Sequence, residues 1–233
     1  MKPGPSESTA HRVAACFHGF LRTGRSMRPV RKRLLTEGWR HVVLPSARYE
    51  LRDIDALGTW AAQQIKELST SVGGAPVDVV THSMGGLVLR SSLRHDPPIR
   101  RAVMLSPPNA GAERAQQMRT LIPIHHLGWD PLAPLLPGAP DRLPTVSGAL
   151  EVGVLTGARG EGGRGYFPWL GADNDGKVRV DEAPLEGACD FQVVKAHHTF
   201  IMSQPLVLDL VVRFLRTGCF AEPGIDAPSQ SQS

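Results

Sequence analysis

The chain has 233 residues, a formal charge of +4, 41% hydrophobic and 21% charged residues, which suits one α/β domain with its own core and excludes wholesale disorder. The longest apolar runs, such as Leu206 to Val212, are broken by charge and fall far short of the ~20 residues that span a bilayer. Basic residues crowd the stretch from Arg22 to Arg33 without interleaved aromatics, which argues against nucleic acid and reads as a solvated helix face; attraction of anionic substrates or lipid headgroups is the sharper alternative.

In chain order, residues 1–11 read as a disordered segment, 12–220 as a single domain and 221–233 as a polar, disordered tail. Arg12 to Phe17 is a short buried strand closed by His18-Gly19. A helix is expected from Met27 to Gly38, a second strand from His41 to Pro45, and an amphipathic helix from Ile54 to Ser69. Val77 to Val80 is the third strand, and the helix beyond Ser83 runs to about His95, where Pro97-Pro98 ends it. A fourth strand follows from Arg101 to Ser106. Residues of about 111–145 are too rich in proline for long helices and read as a loop-rich, lid-like excursion whose Leu127, Trp129, Leu132, Leu135 and Leu136 either cover an acyl chain or pack on the core. Val152 to Thr156 and Phe191 to Lys195 complete six strands, and a last helix runs from Pro205 to Arg216. Strand alternating with helix at this spacing implies a mostly parallel sheet with helices on both faces.

No apolar leader precedes the first strand, and Cys16, Cys189 and Cys219 form an odd set without metal-ligand spacing, so reduced thiols in a cytoplasmic setting are expected.

The stretch Val77-Asp78-Val79-Val80-Thr81-His82-Ser83-Met84-Gly85-Gly86 joins an apolar strand to a helix through a serine. A serine hydroxyl needs a base to take its proton, and a strand-turn-helix exposes Oγ where a base can reach it. Such a turn demands small residues two before and two after the serine; Gly85 complies, while Thr81 crowds the place of the first glycine. Sites in open parallel sheets lie at the carboxyl ends of strands. Those ends offer His18-Gly19-Phe20, Ser83, Asn109, Asp173-Asn174-Asp175-Gly176 and His197-His198, so that a serine, an acid and a histidine arrive in that order.

These motifs, with Pro108-Asn109-Ala110-Gly111 and His198-Thr199-Phe200, resemble the lipase/esterase branch of the α/β-hydrolase superfamily over nearly the whole chain. The resemblance implies a minimal α/β-hydrolase fold and hydrolysis of carboxylic esters through an acyl-serine. It implies Ser83 as nucleophile, His198 as base and Asp175 as the acid that orients it. It also places the oxyanion donors at the backbone N–H groups of Phe20 and Met84. Leu21 and Asn109 are candidate substrate-binding residues, in a pocket walled by Phe20, Leu21, Met84 and part of the excursion.

From the residues alone, Asp173 competes with Asp175 and His197 with His198, whereas His18 and His82 read as structural. Asp173 to Gly176 lacks the glycine and glutamate spacing of an EF-hand, and His125-His126 lacks zinc-ligand spacing, so no metal and no cofactor is expected. The expected partner is a small-molecule or lipid ester, with peripheral contact to a lipid surface possible in principle and no obligate protein partner. An acyltransferase using the same triad, or a non-catalytic binding domain of this fold, are the alternatives.

Overall fold

A computed structural model describes residues 12–121, 130–148, 150–160 and 164–221. Six strands, β1 (Val13–Phe17), β2 (His41–Val43), β3 (Val77–His82), β4 (Ile99–Leu105), β5 (Glu151–Ala158) and β6 (Asp190–Lys195), form one sheet in the order β2-β1-β3-β4-β5-β6. Every neighbouring pair is parallel. The α-helices are α1 (Arg28–Thr36), α2 (Ile54–Ser71), α3 (Met84–Ser92), α4 (Glu113–Leu121) and α5 (Pro205–Thr217).

The central strands read as apolar runs because both faces are covered. Alternate residues Val13, Ala15, Phe17, Val77 and Val79 pack with Leu57, Ala61 and Ile65 of α2 and Leu87 of α3. Their neighbours Ala14, Cys16, Val80 and Val103 pack on the other face with Val30 and Leu34 of α1 and Leu210 and Phe214 of α5. Burial there pushes the Cys16 thiol up to about 12, against a smaller lowering by Arg31. The side chain of Asp78, near the start of β3, ties the far end of the sheet by accepting from Trp39 and Arg100, each at 2.7 Å.

From β1 the chain crosses to β2 on one side and then returns to place β3 on the other, so the strand order reverses between β1 and β3. A crevice opens at the carboxyl ends of strands at such a point. Gly19-Phe20 and Ser83 both emerge there.

The expected elements are present with shifted ends: β3 continues to His82, β5 spans Glu151–Ala158, and α1 starts at Arg28 after a short 3-10 turn from Gly24 to Met27. The excursion differs from expectation in beginning with a helix, α4. Its residues are good helix formers, but only Ala115 is buried, so no apolar period betrays it. Glu182 anchors its start, one carboxylate oxygen accepting the Glu113 N–H at 2.7 Å and the other the Arg179 N–H at 2.7 Å.

The later part of the excursion is pinned. Arg90, buried in α3, donates to the carbonyls of Asn109, Pro140, Leu143 and Pro144 at 2.9 to 3.1 Å. Leu132 and Leu135 are buried against the core. Leu127, Trp129 and the pair His125-His126 lie outside the described residues, as do the first eleven residues and the chain beyond Ala221. Among the described residues no helix is long and apolar enough to cross a membrane.

Candidate active site

β3 ends at His82 and α3 begins at Met84, leaving Ser83 at the corner with φ +54° and ψ −127°. A non-glycine residue there is strained, and it holds only because strand and helix over-determine the turn. A Cβ on Gly85 would come within 2.6 Å of the His18 carbonyl oxygen, and one on Gly19 within 3.0 Å of the Ser83 Cβ. The close approaches therefore fall on Gly85 and on Gly19 of the facing loop. Thr81 instead lies inside β3, paired with Phe17 and Met104, which is why a β-branched residue is accommodated.

Ser83 Oγ is 3.0 Å from His198 Nε2, and His198 Nδ1 is 2.7 Å from Asp175 Oδ2. A carboxylate only accepts, so Nδ1–H donates to Asp175 and Nε2 is left to accept from the Ser83 hydroxyl. The other carboxylate oxygen of Asp175 accepts the N–H groups of Lys177 and Val178 at 2.9 and 2.8 Å. Burial alone would raise the Asp175 carboxyl, but the His198 charge and ring N–H, the Val178 N–H and the Ser106 hydroxyl outweigh it and hold it below the usual range. Asp175 is thus kept ionised beside the imidazole.

Ser106 was not singled out in the sequence. It ends β4 at φ +46°, and its Oγ accepts the Gly157 N–H at 3.2 Å, which fixes the hydroxyl that faces Asp175. Only its place at a strand end gave any sign of this.

The rivals are elsewhere. Asp173 accepts from the N–H groups of Arg159 and Gly160 and closes that loop. His197 packs edge-on to Tyr166 and accepts the Thr199 N–H at 3.2 Å. Asn174 satisfies its own loop through bonds to Phe167, Ala172 and Gly176.

His82 donates from Nε2 to the His198 carbonyl at 3.0 Å, so it braces the backbone of His198. Burial first, and then the charge of His198, lower its pKa well below the ordinary value, and its Nδ1 is buried with no partner. His18 stacks on Tyr49 with ring centroids 4.1 Å apart and bonds to Gly19 and Ala47, holding the loop that carries Phe20; burial is the main cause that lowers its pKa.

A cavity of about 280 Å³ opens beside Ser83 and His198, with Phe20 and Leu21 on its wall and Ala115, Met118, Leu132 and Leu135 along its apolar side. The expected wall residue Met84 and the expected substrate-binding residue Asn109 are not there. The Met84 side chain is fully buried in the core, leaving only its N–H for the site, since the first amides of a helix have no partner within it. Asn109 is 5% exposed; its side-chain Nδ2 donates to the Ala183 carbonyl at 2.8 Å and its backbone carbonyl accepts from Arg90. It therefore braces the loop, and its neighbour Pro108 takes the place on the wall. A wider depression of about 640 Å³ along α2, around Thr59 and His95, contains none of these residues. Among the described residues no group of three His, Cys, Asp or Glu is placed to hold a metal ion.

The sequence model of the alpha/beta hydrolase family matches residues 15–217. The chain belongs to the alpha/beta hydrolase family. No curated protein matches it. Among solved structures, this family member is similar to a lipase of Bacillus licheniformis in its mature form, with 18% identity, a TM-score of 0.72, and coverage of 92% of this chain and 96% of that one. Against the propeptide form of the same lipase it spans 54% of the longer chain. A phospholipase of Legionella pneumophila aligns at 16% identity and TM-score 0.62 over 90% of this chain and 57% of that one. A metagenomic carboxyl esterase aligns at 19% identity and TM-score 0.64 over 86% and 68%. At such identities the likeness is one of fold.

Proposed function

We propose that this member of the alpha/beta hydrolase family cleaves carboxylic esters through an acyl-serine intermediate. The observation that carries the reading is the hydrogen-bonded chain Ser83–His198–Asp175 opening on an apolar cavity. Ser83 Oγ attacks the ester carbonyl carbon while His198 Nε2 takes its proton; the C–O bond to the alcohol then breaks as His198 returns that proton to the leaving oxygen. Water, deprotonated by the same nitrogen, attacks the acyl carbon; the bond to Ser83 Oγ then breaks as His198 returns that proton to Oγ, and the acid is released. Asp175 keeps Nδ1 protonated and faces the imidazolium that forms at each step.

The developing oxyanion is received by the N–H groups of Phe20 and Met84. Loss of one such donor costs roughly 100- to 1,000-fold in turnover, and the start of α3 adds the favourable end of its helix dipole. Ala115, Met118, Leu132 and Leu135 offer an apolar wall for the acyl chain.

The test is the initial rate on p-nitrophenyl esters of increasing acyl length with wild type, Ser83→Ala and His198→Ala. The reading expects hydrolysis by wild type and a fall of about 10³-fold or more in each variant. Wild-type rates in either variant would overturn it.

A further inference from the structure

Three cations from separate segments meet at the cavity beside Ser83: Arg22 after β1, Arg114 in the first turn of α4, and Lys177 two residues beyond Asp175. The same cavity is lined by the apolar side chains of Met118, Leu132 and Leu135. Several other arginines, among them Arg33, Arg94, Arg100, Arg101, Arg119 and Arg179, each reach a carboxylate. Among the described residues no carboxylate lies within ion-pair distance of Arg22, Arg114 or Lys177. Asp175 is the acid that acts on Lys177, and it is already committed to His198.

Two of these segments are also anchored. The Arg114 guanidinium lies 4.1 Å from the Phe167 ring centre, and the Lys177 backbone is fixed by its bond to Asp175. Burial, followed by repulsion from Arg22 and, more weakly, Arg114, lowers the Lys177 ammonium, and Asp175 only partly offsets this. Like charges kept together in the lining of a largely apolar cavity without a counter-ion form a field that an anion relieves.

We propose that the natural substrate is an ester bearing a negatively charged group, a phosphate or a carboxylate, which Arg22, Arg114 and Lys177 hold while the apolar chain lies against Met118, Leu132 and Leu135. The proposal rests on the reading of Ser83 as the ester nucleophile. It goes further by assigning a charge to the substrate, on whichever side of the ester bond reaches Arg22, Arg114 and Lys177.

Matched pairs test it with the full chain. One pair is 1-hexanoylglycerol 3-phosphate against 1-hexanoylglycerol, followed by hexanoate release; the other is the mono-p-nitrophenyl ester of adipic acid against p-nitrophenyl hexanoate. The expected result is a kcat/KM about fivefold or more higher for the charged member of at least one pair, with the advantage shrinking in 0.5 M salt as the charges are screened. Which pair responds tells a phosphate on the alcohol side from a carboxylate on the acyl side. Lys177→Gln and Arg114→Gln, read as the ratio of charged to neutral kcat/KM within each variant, lower that ratio. An advantage below fivefold in both pairs, or a ratio unchanged in both variants and in salt, overturns the proposal while hydrolysis of the neutral esters leaves the Ser83 reading standing. Absence of hydrolysis of every ester overturns both.

Discussion

Asp175 and Asp173 lie two residues apart on one loop, and their surroundings differ in kind. Asp175 is fully buried, receives two backbone N–H groups on one oxygen and His198 on the other, and is held ionised by them. Asp173 faces outward and receives Arg159 and Gly160. Asp175→Asn is expected to lower kcat by about 10³- to 10⁴-fold, because an amide can present N–H to the imidazole and reverse its tautomer. Asp173→Asn is expected to stay within about threefold of wild type, since it alters only a loop closure. Steady-state kinetics on one p-nitrophenyl ester decides this, and comparable losses in both variants would contradict the assignment. At this scale the sequence was most legible where chemistry restricts the residue type: Ser83, His198 and Asp175 stood out through their motifs. Asn109 also stood in a motif, but the motif did not reveal which way its amide turns. Ser106 gave no sign beyond its strand end, and Arg22, Arg114 and Lys177 were illegible as a set because their meeting depends on the loop after β1, the first turn of α4 and the loop beyond Asp175 arriving together.

Among the elements, α4 and the segment after it were the hardest to read. An amphipathic helix such as α2 announces itself by the period of its buried residues, whereas α4 exposes most of its surface and carries little periodic signal. The proline-rich stretch beyond it is held by Arg90, a charged residue on α3 that looks like an ordinary surface helix residue in the sequence. Its guanidinium satisfies four carbonyls at once. Arg90→Met removes those donors while filling much of the volume, and is expected to cost about 2–4 kcal/mol of stability. Urea unfolding reads this as a lower midpoint with little change in slope. A loss under about 0.5 kcal/mol would mean that the segment is held by Leu132 and Leu135 alone.

For the whole molecule, the alternation of apolar strands and helices specified a doubly covered parallel sheet, since only an apolar run fits a strand buried on both faces. Strand order was not specified by that alternation; it follows from which face each crossover helix covers. The same burial that shapes the core makes stability depend on pH. His18 and His82 have pKa values below the ordinary histidine value, chiefly through burial. Their contribution is complete above about pH 6.5 and falls as pH drops, because the unfolded chain then takes up protons that the native one resists. Asp78 and Glu182, whose carboxyls burial raises, act in the opposite sense. Both are common to wild type and His82→Asn, so comparing the two isolates His82. Between pH 6.5 and 5.5 wild type is expected to lose up to about 1 kcal/mol more stability than the variant. Parallel stability curves would contradict a neutral, buried His82.

The central claim, that Ser83 is an activated nucleophile, is tested most directly by reacting the protein with a fluorophosphonate and mapping the adduct by peptide mass spectrometry. The account predicts one phosphonyl group on Ser83 in wild type and no adduct in Ser83→Ala. An adduct on another residue, persistence of labelling in Ser83→Ala, or no labelling of a folded wild-type protein would contradict it.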